Sequence, residues 1–530
     1  MFRMPTPPPI LRSKYPRLLL WVAGIALLFI GYTSGLSRNP PGFYVDESAI
    51  AYNAYLVSRT GAGEYGSHFP LYFQMFTDGF TQYVSPTQVY LLAFVFRFLP
   101  PSILLARSFS AFWVFAACLL LGFLAKRVSG QLKIGLIVAG TALLTPWFFE
   151  VRGLVLEPHF VPFALMLLLL AVYHAHTRAN WTWRALALVA AALALLTYCY
   201  SSGRMLGPLL AFGLLLFVTT TRRFVAVLET WLLYGITLIP TFVYNWHHPG
   251  ALTSRFFAAT YARPGVPWRD AVNEFIRRYL EDQSLTGLLQ TGHPHPRHHV
   301  IEAGGVFFFA TFILAMIGLL LIVIYHRRDP WWRFVLYGLA VSIVPGAITY
   351  EPYHALRNLA WPVFLSLLTI PALEWLLASD DRKQANHGLT QERDGSTHGF
   401  SRSVRLAVLI FLLALTTIEA IRFQIVFRRE GPKRGIFFDA SYEKIYRAAV
   451  AQPSRPIYLI DGYFGPASMH AFWYATVEGR SRSEFVYLGD AAKHPSPPIG
   501  GIVISSDTDK NCQKCQIIER SGVYLLYRAK

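Results

Sequence analysis

The chain has 530 residues, of which 54% are hydrophobic, 15% aromatic and 15% charged, and its mean hydropathy is +0.38. This composition excludes an ordinary set of soluble domains and indicates a polytopic membrane protein. A formal net charge of +18 could belong to a nucleic-acid-binding protein. The lysines and arginines, however, lie in short loops between apolar runs, where they act as topology signals, so no nucleic-acid partner is expected.

Apolar runs long enough to cross a hydrocarbon layer of about 30 Å recur along the chain. A basic arm with Arg3, Arg12, Lys14 and Arg17 precedes the first run, and no small-residue cleavage site follows it. The first run is therefore predicted to be an uncleaved signal-anchor with a cytoplasmic N-terminus. Eleven runs are candidate transmembrane helices, at residues 18–36, 103–125, 132–149, 159–175, 184–201, 204–220, 225–244, 304–325, 331–349, 357–378 and 404–424.

The basic loops alternate consistently with these eleven runs. The positive-inside rule places five connections in the cytoplasm, at residues 125–133, 174–184, 219–224, 325–333 and 379–403. The other connections then face outward, including the long loops 37–102 and 246–303 and everything after residue 424. Residues 86–99 are also apolar, but a helix of that length covers only about 21 Å. Because another crossing there would reverse every later loop, they are predicted to form an interfacial helix along the outer leaflet.

Two domains are predicted. Residues 1–424 form the transmembrane domain, interrupted by a polar, flexible cytoplasmic linker at 379–403. Residues 425–530 form a small extracytoplasmic α/β domain, because a helical pattern at 441–452 is followed by short strand patterns at 456–461, 500–507 and 522–527.

Cysteine is scarce, with four residues in the whole chain. Cys118 and Cys199 lie within apolar runs and are predicted to be packing residues. Cys512 and Cys515 form a CxxC pair without a second ligand pair, so a local disulfide or two free thiols is favoured over a zinc site.

Carboxylates gather where the chain is predicted to leave the membrane on its outer side. Asp46 and Glu47 follow the first run, and Glu157 follows the third, in a connection that also contains Arg152. Acids from separate outer loops beside cations suit general-base or metal-assisted chemistry on a substrate held at the lipid boundary. Simple solvation of each acid near a helix end is the alternative explanation.

Cations mark the outer ends of later runs. Arg204 and Arg357 are placed where a guanidinium could clamp a phosphate whose lipid tail stays in the bilayer, with His354 one helical turn before Arg357. Snorkelling of arginine to lipid headgroups is the alternative. The outer loop 246–303 combines an amphipathic helix pattern with the histidine-rich stretch HPHPRHH.

The two prolines of that stretch prevent regular helical spacing. A metal site is therefore less favoured than a mobile substrate-covering loop or a plain surface loop, and His298 is the residue retained as a site candidate.

Taken in order, several stretches resemble the bacterial membrane glycosyltransferases that are similar to protein O-mannosyltransferases and to the aminoarabinose transferase of lipid A, a glycosyltransferase family 39-like group. They are DESAIAYNAY (46–55), HFPLYFQMF (68–76), LLARSFSAFW (104–113), TPWFFEVRGLVLEP (145–158), YCYSSGRMLGPLL (198–210) and YHALRNLAWP (353–362). The resemblance implies the GT-C fold in the bacterial cytoplasmic (inner) membrane. It also implies inverting transfer of one sugar from a polyprenyl-phosphate carrier to a lipid, glycan or protein acceptor on the outer face.

The resemblance further implies roles for individual residues. Asp46 would be the catalytic carboxylate, and Glu157 matches the second acidic position of the family. From the residues themselves, Glu47 beside Asp46 is a further catalytic candidate, and the acids Asp46 and Glu157 would hold Mg²⁺ or Mn²⁺ if a divalent cation is used. The remaining candidates are Arg204, Arg357, His354 and Arg152 for the donor phosphate, and His68 and His298 for a substrate loop.

Two other classes of protein fit a chain of apolar spans with few charges. A secondary transporter usually places its binding charges near the bilayer midplane, between repeats and on broken helices. The third class is a glycan-assembly protein without catalysis. The clustering of the acids at predicted outer ends favours the enzyme.

Overall fold

The computed structural model describes residues 15–75, 82–378, 401–462, 467–506 and 515–530. Most of the predicted linker 379–403 lies outside these ranges. The helices are α1 (Tyr15–Thr33), α2 (Val45–Thr60), α3 (Pro86–Phe98), α4 (Ile103–Ser129), α5 (Leu132–Leu144), α6 (Pro146–Val151), α7 (Val161–His176), α8 (Trp183–Cys199), α9 (Gly203–Gly213), α10 (Thr221–His247), α11 (Ser254–Ala259), α12 (Trp268–Glu281), α13 (Phe309–Leu321), α14 (Pro330–Val341), α15 (Val344–Ala347), α16 (Trp361–Leu377), α17 (Arg402–Glu430), α18 (Tyr442–Val450) and α19 (Ala467–Glu478).

Every predicted apolar run overlaps a helix of this bundle. Within the described residues, five helical segments are long and apolar enough to cross a membrane, and five shorter apolar helices accompany them. The five long segments are Ile103–Ser129, Glu157–His176, Thr221–His247, Phe309–His326 and Arg402–Phe438. The predicted fold class, a polytopic α-helical membrane protein, is confirmed.

The outer surface of the bundle is apolar, as a hydrocarbon environment requires. On α10, Leu232 is 67% exposed, Phe242 70% and Trp246 83%. Small residues allow close packing inside the bundle: a Cβ on Gly122 of α4 would clash with the backbone of Gly135 on α5, and the reverse also holds. The helices are thus ordered by close packing on one side and by lipid-compatible surface on the other.

The connection between α2 and α3 contains a short hairpin. Strand β1 (Phe73–Met75) pairs antiparallel with β2 (Gln82–Val84), and α3 follows at once. Helix α3 buries Val89, Leu92 and Phe96 and exposes Phe94 and Phe98. The helix predicted at 86–99 is present, and its location along a leaflet stays a prediction.

The chain ends in a five-stranded sheet with the order β4-β3-β5-β7-β6. Its strands are β3 (Ile457–Asp461), β4 (Phe485–Asp490), β5 (Ile502–Ser505), β6 (Gln516–Ser521) and β7 (Tyr524–Arg528). The pairs β3–β4 and β3–β5 are parallel, whereas β5–β7 and β6–β7 are antiparallel. The three strands expected from the sequence are the three central ones. The two that were missed, β4 and β6, form the edges of the sheet and are only partly buried. The apolar start of β4, residues 485–488, is a signal that could have found it.

The cysteines divide into buried and cross-linked positions. Cys118 and Cys199 are free and buried within helices, as expected for packing residues. Cys515 is disulfide-bonded, and Cys512 lies outside the described residues.

The sheet domain packs directly on the bundle through α19 and α2. The ring of Trp473 stacks on Phe43 at 5.3 Å between centroids, and Phe472 lies 5.6 Å from Tyr52. Ser48 on α2 lies 3.0 Å from Nδ1 of His470 on α19. The C-terminal domain therefore helps to fix the start of α2, where Asp46 and Glu47 are located.

Candidate active site

Asp46, in the first turn of α2, and Glu157, in the turn before α7, line one cleft with a volume of about 150 Å³. Cationic and imidazole side chains line the same cleft, namely Arg297, His298, His354 and Arg357. The structure thus brings together two of the three predicted acids and three of the predicted cationic or histidine candidates. Tyr44, Gln82 and Tyr200 complete its polar lining.

Asp46 lies in the first turn of α2 and is half-buried. The positive end of the helix dipole favours a negative charge at this position. Consecutive residues of a helix point about 100° apart, so Asp46 and Glu47 face different surroundings although they are neighbours in sequence. Asp46 faces the cleft.

Glu47 is fully buried in an ion pair with Arg107 of α4, at 3.2 Å. Its carboxylate also accepts hydrogen bonds from the backbone N–H of Tyr44 at 3.0 Å and of Val155 at 2.9 Å. The first of these bonds caps α2 at its N-terminus. Two of these contacts hold backbone in place, and the third pairs two buried charges. They support a structural role for Glu47, and its catalytic role stays a prediction that these contacts do not support.

Arg152 is enclosed in the same way and is 2% exposed. Its Nε donates to the carbonyl of Tyr32 at 2.8 Å, and its guanidinium lies 3.3 Å from the ring centroid of Phe149. Burial lowers the pKa of Arg152 to about 10. Aromatic rings and backbone carbonyls occupy the surroundings of Arg152, so they give no support to its predicted contact with a donor phosphate, which stays a prediction.

Glu157 is the first residue of a 3-10 turn, Glu157–Phe160, that leads into α7. It is 3% exposed, and its carboxylate accepts a hydrogen bond from the backbone N–H of Ser85, the residue that precedes α3. Through this hydrogen bond, Glu157 holds the start of α3 beside the cleft that Asp46 lines.

A second, more apolar cavity of about 290 Å³ adjoins the first, since Tyr200 and Arg357 line both. Arg204 lies in this second cavity, where its Nη1 donates to the carbonyl of Leu252 at 3.0 Å. Arg357 donates to Oγ1 of Thr349 at 2.8 Å. Much of the remaining wall is apolar, with Met205, Phe256, Pro345 and Ile348. Two guanidiniums beside an apolar groove suit an anionic headgroup with a hydrocarbon tail.

Three histidines converge at the edge of the first cleft. The Nδ1 atoms of His293 and His298 are 3.2 Å apart, and the ring centroid of His354 is 4.9 Å from that of His293 and 5.3 Å from that of His298. Nε2 of His354 contacts the Glu351 carboxylate at 3.1 Å. Burial lowers the pKa of His293 to about 2 and that of His354 to about 4, so both imidazoles are neutral near pH 7.

His68 does not join these residues. Its side chain is exposed, and it lines neither of the two cavities described above. The position of His68 therefore gives no support to the expectation that it belongs to a substrate loop.

Two residues that line or border the cleft were not singled out from the sequence. The guanidinium of Arg297 lies 3.5 Å from the ring centroid of Tyr44 and donates through Nε to the carbonyl of Phe437 at 3.1 Å. His293 packs against His298 and His354. The signal for both was the basic, histidine-rich stretch 293–299, but only the folded chain selects which of its side chains meet.

No protein-family model and no curated protein matches the sequence. Solved structures do match the fold. ArnT from Cupriavidus metallidurans in the apo state superposes with a TM-score of 0.58 and 11% sequence identity, over 97% of this chain and 98% of that chain. ArnT from the same organism bound to undecaprenyl phosphate gives a TM-score of 0.56 and 10% identity, with the same coverage.

The chain has the GT-C fold. The superposition extends over both the helical bundle and the C-terminal sheet domain, because it covers nearly the whole of each chain. The GT-C fold expected from the resemblance is therefore confirmed. At this level of sequence identity the likeness establishes the fold, and the chemistry has to be argued from the cleft itself.

Proposed function

We propose that the protein is a membrane glycosyltransferase that moves a single sugar from a polyprenyl-phosphate carrier to an acceptor, with inversion and with Asp46 as the catalytic carboxylate. The observation that carries this proposal is the shared wall of the two cavities. The acid-lined cleft with Asp46 and the apolar groove with Arg204 have Arg357 and Tyr200 in common. A sugar in the first and a lipid tail in the second would place the connecting phosphate beside Arg357.

The apolar groove supports a lipid-linked donor. Its apolar wall can receive a prenyl chain, and Arg204 and Arg357 can receive the negative charge of the phosphate. The fold neighbour ArnT, whose structure was solved with undecaprenyl phosphate bound, supports the same choice of carrier.

In the proposed reaction, the acceptor oxygen attacks the anomeric carbon of the donor sugar while the Asp46 carboxylate takes the acceptor proton. The bond between the anomeric carbon and the phosphate oxygen breaks, and its electron pair leaves with the polyprenyl phosphate. Arg204 and Arg357, together with Arg297 of the first cleft, offset the charge that develops on this leaving group. A single displacement of this kind inverts the anomeric configuration.

A divalent cation held by Asp46 and Glu157 stays a prediction. Both carboxylates line the cleft, and oxygen ligands suit Mg²⁺ or Mn²⁺. Such an ion would add positive charge near the donor phosphate.

The placement of the ionisable residues favours this proposal over a transporter. Asp46 lies in the first turn of α2, Glu157 lies in the turn before α7, and Arg357 lies just before α16. Ion-binding residues of transporters lie on interrupted helices at mid-membrane instead. An assembly protein without catalysis would likewise not require a cleft in which carboxylates adjoin an apolar groove.

The test is a transfer assay with purified protein and a panel of polyprenyl-phosphate sugars, measuring released polyprenyl phosphate with and without a chelator. Asp46→Asn should lower turnover by about 10²–10⁴-fold, because a general base is lost. Asp270→Asn on the exposed face of α12 is the matched control and should leave turnover unchanged. Normal turnover by Asp46→Asn rejects the mechanism.

The phosphate role of Arg204 has its own comparison. Arg204→Ala should weaken donor binding, whereas Leu232→Ala on the exposed face of α10 should not. Equal effects of the two changes would remove Arg204 from the proposed phosphate clamp.

A further inference from the structure

The three histidines at the edge of the cleft come from two separate segments. His293 and His298 belong to the connection between α12 and α13, and His354 belongs to the connection between α15 and α16. One ligand atom from each ring can be chosen so that all lie within 4.8 Å of one another. Within the described ranges, no other three His, Cys, Asp or Glu side chains form such a group.

We propose that His293, His298 and His354 bind a divalent transition-metal ion of the zinc class, with a fourth coordination position open to the cleft. Neither the transfer mechanism nor the expected Mg²⁺ or Mn²⁺ site at Asp46 and Glu157 uses this group of side chains.

The spacing of the rings fits tetrahedral coordination. With Zn–N bonds of 2.0–2.1 Å, two ligand nitrogens of a tetrahedral site are about 3.4 Å apart. The Nδ1 atoms of His293 and His298 are 3.2 Å apart. The third nitrogen, from His354, lies within 4.8 Å and would reach the ion by a small rotation of its ring.

Backbone N–H groups reach the ring nitrogens that would bind the ion only at long distances. Nδ1 of His293 receives the backbone N–H of Ala355 at 3.4 Å, and Nδ1 of His354 receives that of Arg357 at 3.3 Å. Both distances lie beyond the usual range for N–H···O bonds. The shorter contact of His293 Nδ1 is with His298 Nδ1 at 3.2 Å, and a metal ion would bind the lone pairs of both nitrogens.

Glu351 supplies the arrangement usually found behind a metal-bound histidine. Its carboxylate contacts Nε2 of His354 at 3.1 Å, which fixes the proton on Nε2 and leaves the lone pair on Nδ1. A carboxylate in this position also makes the imidazole a stronger ligand.

The ligand type selects the metal. Imidazole nitrogen suits zinc, copper, nickel and iron, whereas carboxylate and water oxygens suit magnesium, calcium and manganese. Three protein ligands with an open fourth position are typical of reactive rather than structural zinc sites. Because His298 and His354 line the cleft, the open position would face the space that Asp46 also lines. An oxygen of the donor phosphate is the ligand that suits this position, and this last point rests on the proposed function, whereas metal binding does not.

The test measures metal binding directly on the purified full-length protein in detergent, after removal of any affinity tag. The protein is stripped with a chelator, loaded with Zn²⁺ and desalted, and its metal content is measured by mass spectrometry. We expect about one zinc ion per chain, no retained Mg²⁺, and loss of the zinc in His293→Ala, His298→Ala and His354→Ala. His295→Ala, in the same loop but outside the group, and the exposed His326→Ala should retain it.

Cobalt loading of the wild type gives a second readout that needs no variant to fold. Tetrahedral histidine coordination should produce visible d–d absorption that Zn²⁺ displaces. Wild-type protein that retains no metal and shows no such bands overturns the proposal, and so does zinc content that is equal in all folded variants. Since no sugar donor is present, failure of this experiment leaves the proposed transfer reaction standing, and failure of the transfer assay leaves the metal site standing.

Discussion

At the residue scale, the adjacent acids Asp46 and Glu47 have different surroundings. Asp46 is half-buried and lines the cleft, whereas Glu47 is fully buried against Arg107. The helical rotation between neighbouring positions separates the two side chains, and the capping bond to Tyr44 draws Glu47 back toward the start of α2. One acid is therefore available to a substrate, and the other holds the backbone that presents it.

Glu47→Gln should destabilise the folded protein by about 3 kcal/mol, because the buried Arg107 guanidinium loses its counter-charge. Thermal unfolding in detergent measures the change. Asp46→Asn should cost much less stability while lowering transfer by about 10²–10⁴-fold. Equal melting temperatures for Glu47→Gln and wild type would contradict the structural role of the ion pair.

The buried pair of His299 and Glu150 makes stability depend on pH. Burial by itself lowers the pKa of His299, but the charge and hydrogen bond of Glu150, at 2.6 Å, together with the carbonyl of Gly304 at 2.7 Å, outweigh it, so the pKa is raised. A raised pKa in the folded state stabilises the protein fully below the unfolded value of about 6.5, and this stabilisation is lost as pH rises through the folded value.

The stability difference between wild type and His299→Gln should therefore shrink as pH rises above about 6.5, by at most about 1.4 kcal/mol per pH unit. Melting curves at pH 6 and pH 9 measure it. The exposed His326→Gln serves as the control and should show no such trend. A difference that stays constant between the two pH values would show that the imidazole is not held in its charged form.

At the element scale, α2 is fixed by contacts from the opposite end of the sequence. The Asp439 carboxylate accepts the backbone N–H of Val45 at 3.2 Å and contacts Nε2 of His470 at 3.2 Å. Nδ1 of His470 in turn faces Ser48 Oγ at 3.0 Å. This chain of polar contacts joins the sheet domain to the first turn of α2, one residue before and two residues after Asp46.

Ser48→Ala should destabilise the protein by about 1–3 kcal/mol, because Nδ1 of the buried His470 loses its partner. Thermal unfolding again measures it. Ser110→Ala is the matched control: Ser110 is equally buried, but among the residues that the structure describes its hydroxyl bonds only to the carbonyl of Ala106 in its own helix, at 3.3 Å. The contact between the domains would lose its proposed importance if both variants melted alike.

At the scale of the whole molecule, the bundle and the sheet domain share one core. The aromatic contacts of Trp473 with Phe43 and Phe96, and of Phe472 with Tyr52, bury rings from both parts. Removal of the sheet domain would expose these rings, so a truncated chain is a poor test of whether the bundle alone has activity. Point substitutions are therefore a better test of activity in this protein than truncation.

The orientation of the chain in the membrane stays a prediction from the positive-inside rule. With the N-terminus in the cytoplasm and the C-terminal domain outside, a cysteine at exposed Ala492 should react with a membrane-impermeant thiol reagent in intact cells, whereas one at exposed Arg327 should react only after lysis. Wild-type protein, which lacks the introduced cysteine, measures the background labelling and is the control. Labelling of the Arg327 position alone in intact cells would reverse the topology and place the cleft on the other face.

The sequence by itself determined the class of fold, the position of every long apolar helix and the central strands of the sheet. Hydropathy and the alternation of polar and apolar residues are local properties, so they can be read from consecutive residues without knowing which segments pack together. The same local signal placed Asp46 and Glu157 near helix ends, from which both reach one cleft.

Only the tertiary structure decided which polar residues face that cleft. It buried Glu47 against Arg107 and Arg152 against aromatic rings, although each stands beside residues expected to act on a substrate. It also brought His354 to His293 and His298 across some sixty residues of chain. The physical reason is that burial and pairing of a charged or imidazole side chain depend on partners distant in sequence, which no local pattern records.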